Sequence, residues 1–349
     1  MRQETVKKMA IIGAGAIGTL VGGYISMGGE DITLIAPYWR EHVEALRQRG
    51  LKIDGCRGER LVKVKALHID ELDQLGGKID ILFIAVKAYD TERMFTLMKP
   101  YLNKNAWVVS LQNGIMEDVI IPIAGEVNTI GCSTMLGVSL WEPGHVTQEG
   151  KPDVLLFTIG ELDGKITPRI KELARVLELC GPTKITNNIW GQLWAKLLLN
   201  CMVNTMEGIT GHTTDELYKN EQTRHLLKLI AAEVVQVAEA LGYKMEPVLG
   251  IGPELWKKAA QSQVPEVDQA MFEHGRTYKG GHASMLQDII KGRRTEIDEL
   301  NGYVIKRGRE TGILTPVNEA VLILLKKVES GKLKHNPVNI DTLLGLLPY

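Results

Sequence analysis

No stretch of this chain reaches the roughly 18 consecutive apolar residues that a membrane-spanning helix requires. The polar N-terminal segment, Met1 to Lys8, lacks the apolar centre of a signal peptide. Neither sign of charge is in excess: the formal net charge is −1, so neither nucleic acid nor an anionic membrane is favoured as a partner on global electrostatics. Cysteine is sparse. Cys56, Cys132, Cys180 and Cys201 lie far apart, with no Cys-x-x-Cys and no histidine at metal-ligand spacing, so the expectation is no metal site and buried, reduced thiols. Low-complexity tracts and internal repeats are missing as well. These absences point to a soluble cytoplasmic protein. The 44% hydrophobic and 24% charged residues suit an ordinary globular core, and 349 residues suffice for two domains on a prior of about 100–200 residues each.

What the chain does have begins near its start. An apolar run, Met9-Ala10-Ile11-Ile12, ends in Gly13-Ala14-Gly15-Ala16-Ile17-Gly18, and a stretch compatible with a helix follows through Met27. Gly-x-Gly-x-x-Gly between a strand and a helix is the dinucleotide-binding fingerprint. Gly13 permits the tight turn, Gly15 lets backbone approach a pyrophosphate, and Gly18 lets the helix pack close to the strand. The helix N-terminus, with Ala16 and Ile17, then offers N–H groups and partial positive charge to phosphates.

The second strand is expected over Asp31–Ala36, and its end is where such folds read the adenine ribose. An NAD site usually places Asp or Glu there; this chain has Ala36, then Pro37-Tyr38-Trp39-Arg40. Without a carboxylate to repel a 2′-phosphate, and with Arg40 able to pair with one, NADP(H) is favoured over NAD(H). A buried strand over Asp80–Lys87 brings Lys87 to a carboxyl edge, where ligands of open α/β sheets bind, and a strand ending at Leu111 brings Gln112-Asn113-Gly114 to the same edge. Further strands are expected over Thr129–Ser139, His145–Gln148, Asp153–Gly160 and Lys184–Thr186, with a helix over Ile166–Cys180. His145 reads as a turn or strand-start histidine, because its local context holds no partner for acid–base work.

From about Asn187 helical periodicity takes over. A long helix is expected over Asn188–Glu207, in which Lys196, Asn200 and Asn204 recur at i, i+4, i+8 and so form one row. An ammonium flanked by amides could polarise a carbonyl or donate a proton, with partial burial lowering its pKa; the alternative is a solvated helix face. Later, Ser284-Met285-Leu286-Gln287-Asp288 leads into Arg294-Thr295-Glu296-Ile297-Asp298. There charges thread an apolar-faced helical pattern, either salt-bridged at a surface or functional. Asn318–Ser330 reads as an amphipathic helix and the last twenty residues as a loose extension.

Taken together, Gly13 to Gly18, Val86-Lys87, Leu111-Gln112-Asn113-Gly114, Trp194-Ala195-Lys196 with Asn200 and Asn204, and Ser284 to Asp298 resemble the ketopantoate reductase (2-dehydropantoate 2-reductase) family. The resemblance implies an N-terminal Rossmann-type NADP(H)-binding α/β domain over 1–187. It further implies an all-α substrate and dimerisation domain over 188–349, with the active site between them. The implied reaction is NADPH-dependent reduction of a 2-oxo acid, above all ketopantoate to pantoate in pantothenate and coenzyme A biosynthesis. In this likeness Lys196 is the general acid and Glu296 the acid that holds the substrate and its new hydroxyl. Asn113 is shared by nicotinamide and substrate, Lys87 lies on the cofactor side, and Asn200, Asn204 and Ser284 position the substrate.

The departures bear on substrate and cofactor. Pro37 stands where well-studied members place Arg, leaving Arg40 as a shifted candidate. Thr214 and Gly281 stand where some members carry Asn. Glu207 adds a carboxylate near the Lys196 row, where small neutral residues are common, and facing the substrate its charge would oppose an anion. Two other readings stay open: a related reductase or dehydrogenase for a different 2-oxo acid, and a non-catalytic nucleotide-binding redox sensor. A sensor would need the glycine turn but not Lys196 and Glu296.

Overall fold

The computed structural model describes residues 7–277 and 282–347. The chain divides into two compact units. The first runs to Gln112 and continues over Met116–Ile189; the second comprises Asn113–Ile115 and the chain from Trp190 onward.

The first unit is α/β. Its strands are β1 (Met9–Ile12), β2 (Ile32–Ala36), β3 (Leu51–Gly55), β4 (Arg60–Val62), β5 (Lys65–His68), β6 (Ile79–Ile84), β7 (Leu102–Ser110), β8 (Thr129–Thr134), β9 (Gly137–Glu142), β10 (His145–Glu149), β11 (Phe157–Glu161) and β12 (Thr183–Ile185). The main sheet has eight strands in the order β12-β11-β8-β7-β6-β1-β2-β5. From β8 to β5 every neighbouring pair is parallel; β11 runs antiparallel to β8, and β12, parallel to β11, shares its reversed direction. The chain therefore leaves β1 toward β2 on one side and returns to β6 on the other, so the topological switch lies at β1. Sequence explains why β1 is central. All four of its residues are buried; Met9 and Ile11 enter one core, Ala10 and Ile12 the other. That two-sided burial is what a parallel strand with helices on both faces demands.

Helices α1 (Ala16–Met27), α2 (Arg40–Arg49), α3 (Thr91–Met98), α4 (Glu117–Ala124) and α5 (Pro168–Glu178) complete this unit. A second sheet, β4-β3-β10-β9, packs on α1, where Tyr24 donates to Oε1 of Gln148 at 2.8 Å. The single strand expected over Thr129–Ser139 is in fact two, β8 and β9, in different sheets. His145 begins β10, the strand-start position expected for it, but contrary to expectation it has partners: its ring nitrogens lie 2.8 Å from Glu142, three residues before it, and 2.7 Å from Asp54 on β3. Three cysteines are buried and Cys56 is half-buried; all four are free thiols.

The second unit is helical. It contains α6 (Ile189–Leu199), a π-helical turn over Asn200–Asn204, α7 (Thr205–Thr210), α8 (Thr214–Lys219), α9 (Glu221–Ala240), α10 (Pro253–Gln261) and α11 (Pro265–Thr277). These are followed by α12 (Ser284–Ile290), α13 (Asn301–Thr311), α14 (Pro316–Glu329) and α15 (Asn339–Leu344). Three expectations need correcting here. The helix over Asn188–Glu207 is interrupted by the π turn. The Arg294–Asp298 run is not helical, because Gly292, at φ +62°, closes α12. Gly292 N–H bonds Ile289 O at 3.0 Å and Arg293 N–H bonds Asp288 O at 2.8 Å, the paired closure of a glycine-terminated helix. Nor is the tail loose: Asn336 N–H donates to Ile209 O at 3.1 Å, Asn339 Nδ2 to the same oxygen at 2.9 Å, and Ile340 and Leu343 are buried. Among the described residues no helix is long and apolar enough to cross a membrane.

Candidate active site

In the first unit the glycine turn sits at the carboxyl end of β1. Gly13 has φ +105°, and a Cβ there would lie 2.4 Å from Val86 N, so only glycine lets β1 end this close to the segment after β6. A Cβ on Gly18 would lie 2.1 Å from Gly13 O, which holds α1 against the turn. Gly15 differs. It is exposed, and nothing lies within 4 Å of the position its Cβ would take. Ala16 and Ile17 are half-buried beside it, no side chain caps α1, and its first turn holds no acidic residue. An uncapped helix start behind an open glycine leaves backbone N–H groups that can meet an anionic group.

Two other residues proposed for the cofactor flank this edge. Lys87 lies three residues beyond the end of β6, rather than on the strand as expected, and its backbone begins a short 3-10 turn. Gln112, overlooked as more than a neighbour of Asn113, shapes that edge. Its Nε2 donates to Val86 O at 2.7 Å and to Thr91 Oγ1 at 2.8 Å. Arg40 opens α2 and already has a counter-charge: Nη2 lies 2.8 Å from Asp70 Oδ2 and 3.0 Å from His68 Nδ1. With both partners exposed, that pair contributes little to stability and can exchange.

The second unit gathers most of the remaining candidates. Asn113 Nδ2 lies 3.5 Å from both Ser284 Oγ and Glu296 Oε2, and its Oδ1 accepts from Asn200 Nδ2 at 3.3 Å. Asn204 Nδ2 reaches Asn200 Oδ1 at 3.2 Å and Ser284 Oγ at 3.5 Å. Five residues from four separate stretches thus converge through long, easily exchanged hydrogen bonds.

Lys196 lies on α6, one turn before Asn200 on the same row. Its side chain is half-buried, and burial lowers its pKa from 10.5 to about 8. Among the described residues it makes no ion pair. Glu296 is 4% exposed and is placed by its neighbour Thr295, whose N–H and hydroxyl donate to Glu329 on α14 at 2.6 and 2.8 Å.

Glu207 does not face this cluster as an open charge. It is fully buried, with Oε1 accepting from Thr214 Oγ1 at 2.6 Å and Oε2 from Ala283 N–H at 2.7 Å. Burial raises its pKa, and these two hydrogen bonds pull it partly back. Thr214 is spent on that contact, and Gly281 lies outside the described residues.

Comparison with known proteins shows the family. Residues 9–164 match the family described as ketopantoate reductase PanE/ApbA, and residues 188–329 match its C-terminal domain family. The chain belongs to the ketopantoate reductase family. It is 32% identical to the 2-dehydropantoate 2-reductase of Archaeoglobus fulgidus over 329 residues, covering 93% of this chain and 99% of that one. The corresponding enzyme of Pyrococcus horikoshii is 33% identical, with 93% and 98% covered. Among solved structures, a PanE/ApbA family ketopantoate reductase from Ralstonia eutropha aligns with a TM-score of 0.77 at 29% identity, covering 93% and 99%. D-mandelate dehydrogenase, in a ternary structure with NADH and anilino(oxo)acetate, aligns with a TM-score of 0.80 at 26% identity over the same shares. Members of this family are oxidoreductases on a Rossmann-type fold, as the sequence predicts.

Proposed function

We propose that this chain reduces a 2-oxo acid to the 2-hydroxy acid with NADPH, the first substrate to test being 2-dehydropantoate (ketopantoate), reduced to pantoate in pantothenate and coenzyme A biosynthesis. The observation that carries the reading is the cluster of Asn113, Ser284 and Glu296 with Asn200 and Asn204, the last two on the helical row begun by Lys196, whose pKa burial lowers. In this reading residues 1–187 act as the dinucleotide domain and 188–349 as the substrate and dimerisation domain. Cytoplasmic placement and a homodimer belong to the same reading and rest on the family resemblance.

Gly13, Gly15, Ala16, Ile17 and Gly18 would hold the pyrophosphate, Arg40 the 2′-phosphate, and Lys87 and Asn113 the nicotinamide side. The preference for NADPH rests on the missing carboxylate after β2 and on Arg40, which must exchange Asp70 for the phosphate. When bound, a reduced nicotinamide supplies the hydride. The rest falls to this chain. As the carbonyl carbon gains hydride, negative charge develops on its oxygen, and Lys196 donates a proton there and is left as the amine. Glu296 accepts a hydrogen bond from the hydroxyl so formed, while Asn200, Asn204 and Ser284 orient the acid. Solvent then returns a proton to Lys196. A proton donor with a pKa near 8 is well matched to a neutral working pH.

The test is steady-state turnover with a panel of 2-oxo acids, each with NADPH and NADH. Preference for ketopantoate and NADPH supports the full reading. Preference for an aromatic 2-oxo acid would favour the second reading, which the likeness to D-mandelate dehydrogenase motivates. Dinucleotide binding without turnover on any acid would leave only a nucleotide-binding protein.

A further inference from the structure

We infer that Glu207 is a positioning residue that fixes Ser284 for the 2-oxo acid by holding the backbone of Ala283; this rests on the reduction reading above. A buried carboxylate is costly unless both oxygens are used, and here both are. One is taken by the Thr214 hydroxyl. That leaves the other directed at a single main-chain group, the N–H of Ala283.

Ala283 is the N-cap of α12, and alanine has no side chain with which to cap it. In many helices a Glu three residues into the first turn reaches back to the N-cap N–H. In α12 that position is Leu286, which cannot. The carboxylate comes instead from a residue 76 positions earlier in the chain. Ser284 is the next residue after the clamped peptide, and its hydroxyl meets Asn113 and Asn204. Glu207 follows Asn204 by three residues, hence by about one helical turn. The distance between Asn204 and Ser284, two substrate-positioning groups, is therefore spanned a second time by Glu207 and Ala283. Releasing the clamp lets the start of α12 drift from the amide row. Affinity for the acid depends on both sides of that span, whereas proton donation from Lys196 does not.

Two variants and one background separate positioning from general support. Glu207→Ala removes both acceptors and is expected to raise KM for the oxo acid by about ten-fold or more, with a smaller loss in kcat and unchanged dinucleotide affinity. Glu207→Gln can turn its oxygen to Ala283 and its amide to the Thr214 hydroxyl, and is expected to restore most of that KM. In a Ser284→Ala background, Glu207→Ala should add little, because its effect passes through Ser284. Should Glu207→Ala fail to fold, Ala283→Pro deletes the same N–H at a φ of −57° that suits the ring, and should raise KM similarly. An unchanged KM, or a full additional loss in the Ser284→Ala background, overturns the inference. Absence of turnover by the wild type would instead sink the reduction reading. Amide exchange at Ala283 then decides the clamp: exchange accelerated by about ten-fold or more in Glu207→Ala upholds it, and equal exchange refutes it.

Discussion

Thr205 donates its hydroxyl hydrogen to Oδ1 of Asn301 at 2.7 Å, tying the end of the π turn to a residue 96 positions later. Asn301 Nδ2 in turn donates to Cys201 O at 3.3 Å and to Asn318 Oδ1 at 2.9 Å. A π turn displaces the regular ladder of helix hydrogen bonds, and such turns recur at functional sites. Here the buried Asn301 serves the Cys201 carbonyl within that turn, so Asn200 and Asn204 are held on either side of it. Asn301→Ala is expected to cost about 2–4 kcal/mol, because it strands buried partners on three elements. Thr205→Val, nearly isosteric, should cost about 1–3 kcal/mol. Denaturant unfolding measures both, and kcat/KM should fall in each at temperatures where the protein stays folded.

In the proposed reaction the Lys196 proton sets a pH dependence. Burial holds its pKa at about 8, so the ammonium needed for reduction is lost as pH rises through that value. The rate of 2-oxo acid reduction should be level below about pH 7 and fall above pH 8. Oxidation of the hydroxy acid needs the amine and should rise over the same interval. Profiles of kcat/KM in both directions check the sign, and a reduction rate that is flat to pH 10 would remove Lys196 as the donor.

The first two glycines of the turn should respond differently to a methyl group. Gly13→Ala puts a Cβ against Val86 backbone at a positive φ and is expected to destabilise the fold. Gly15→Ala meets no protein atom, so Tm should stay close to wild type while dinucleotide affinity falls by about ten-fold or more. Thermal unfolding and fluorescence titration of NADPH distinguish the two.

Glu117, at the start of α4, is 1% exposed, and burial raises its pKa from 4.5 to about 7, opposed by nearby backbone N–H groups. An acid with a raised native pKa binds a proton more tightly when folded. Its stability contribution is thus complete below about pH 4.5 and lost as pH rises through 7, on the order of 3 kcal/mol in all. Glu117→Gln should abolish that slope, which urea unfolding at a series of pH values measures.

The sequence revealed the parts of the site that depend on local spacing. Gly13, Gly15 and Gly18 sit where a strand pattern gives way to a helix pattern, and the three glycines have distinct duties that the turn itself imposes. Lys196, Asn200 and Asn204 were visible as a row because helical spacing aligns them, and the amide contact between Asn200 and Asn204 survives the π turn.

What escaped depends on partners far along the chain. The π turn is stabilised by Asn301, and nothing near Asn200 announces it. Glu207 carried a charge that spacing alone placed beside the site; only its contacts with Thr214 and with Ala283, 76 residues away, show it to be consumed as a clamp. The apolar rhythm from Met285 to Ile297 mimicked one helix, although Gly292 was a sufficient stop signal. Likewise the proline-bearing tail looked unstructured because its anchor, the Ile209 carbonyl, lies 130 residues away from Asn339.

The most direct test of oxo-acid reduction centred on Lys196 is one paired assay. Purified wild type and Lys196→Ala are given NADPH and ketopantoate, and loss of nicotinamide absorbance is compared with pantoate formed. Wild type should produce one pantoate per NADPH consumed, and Lys196→Ala should be slower by about 10²–10⁴-fold with nearly unchanged NADPH affinity. Equal rates in the two proteins, or NADPH loss without hydroxy acid, would contradict it.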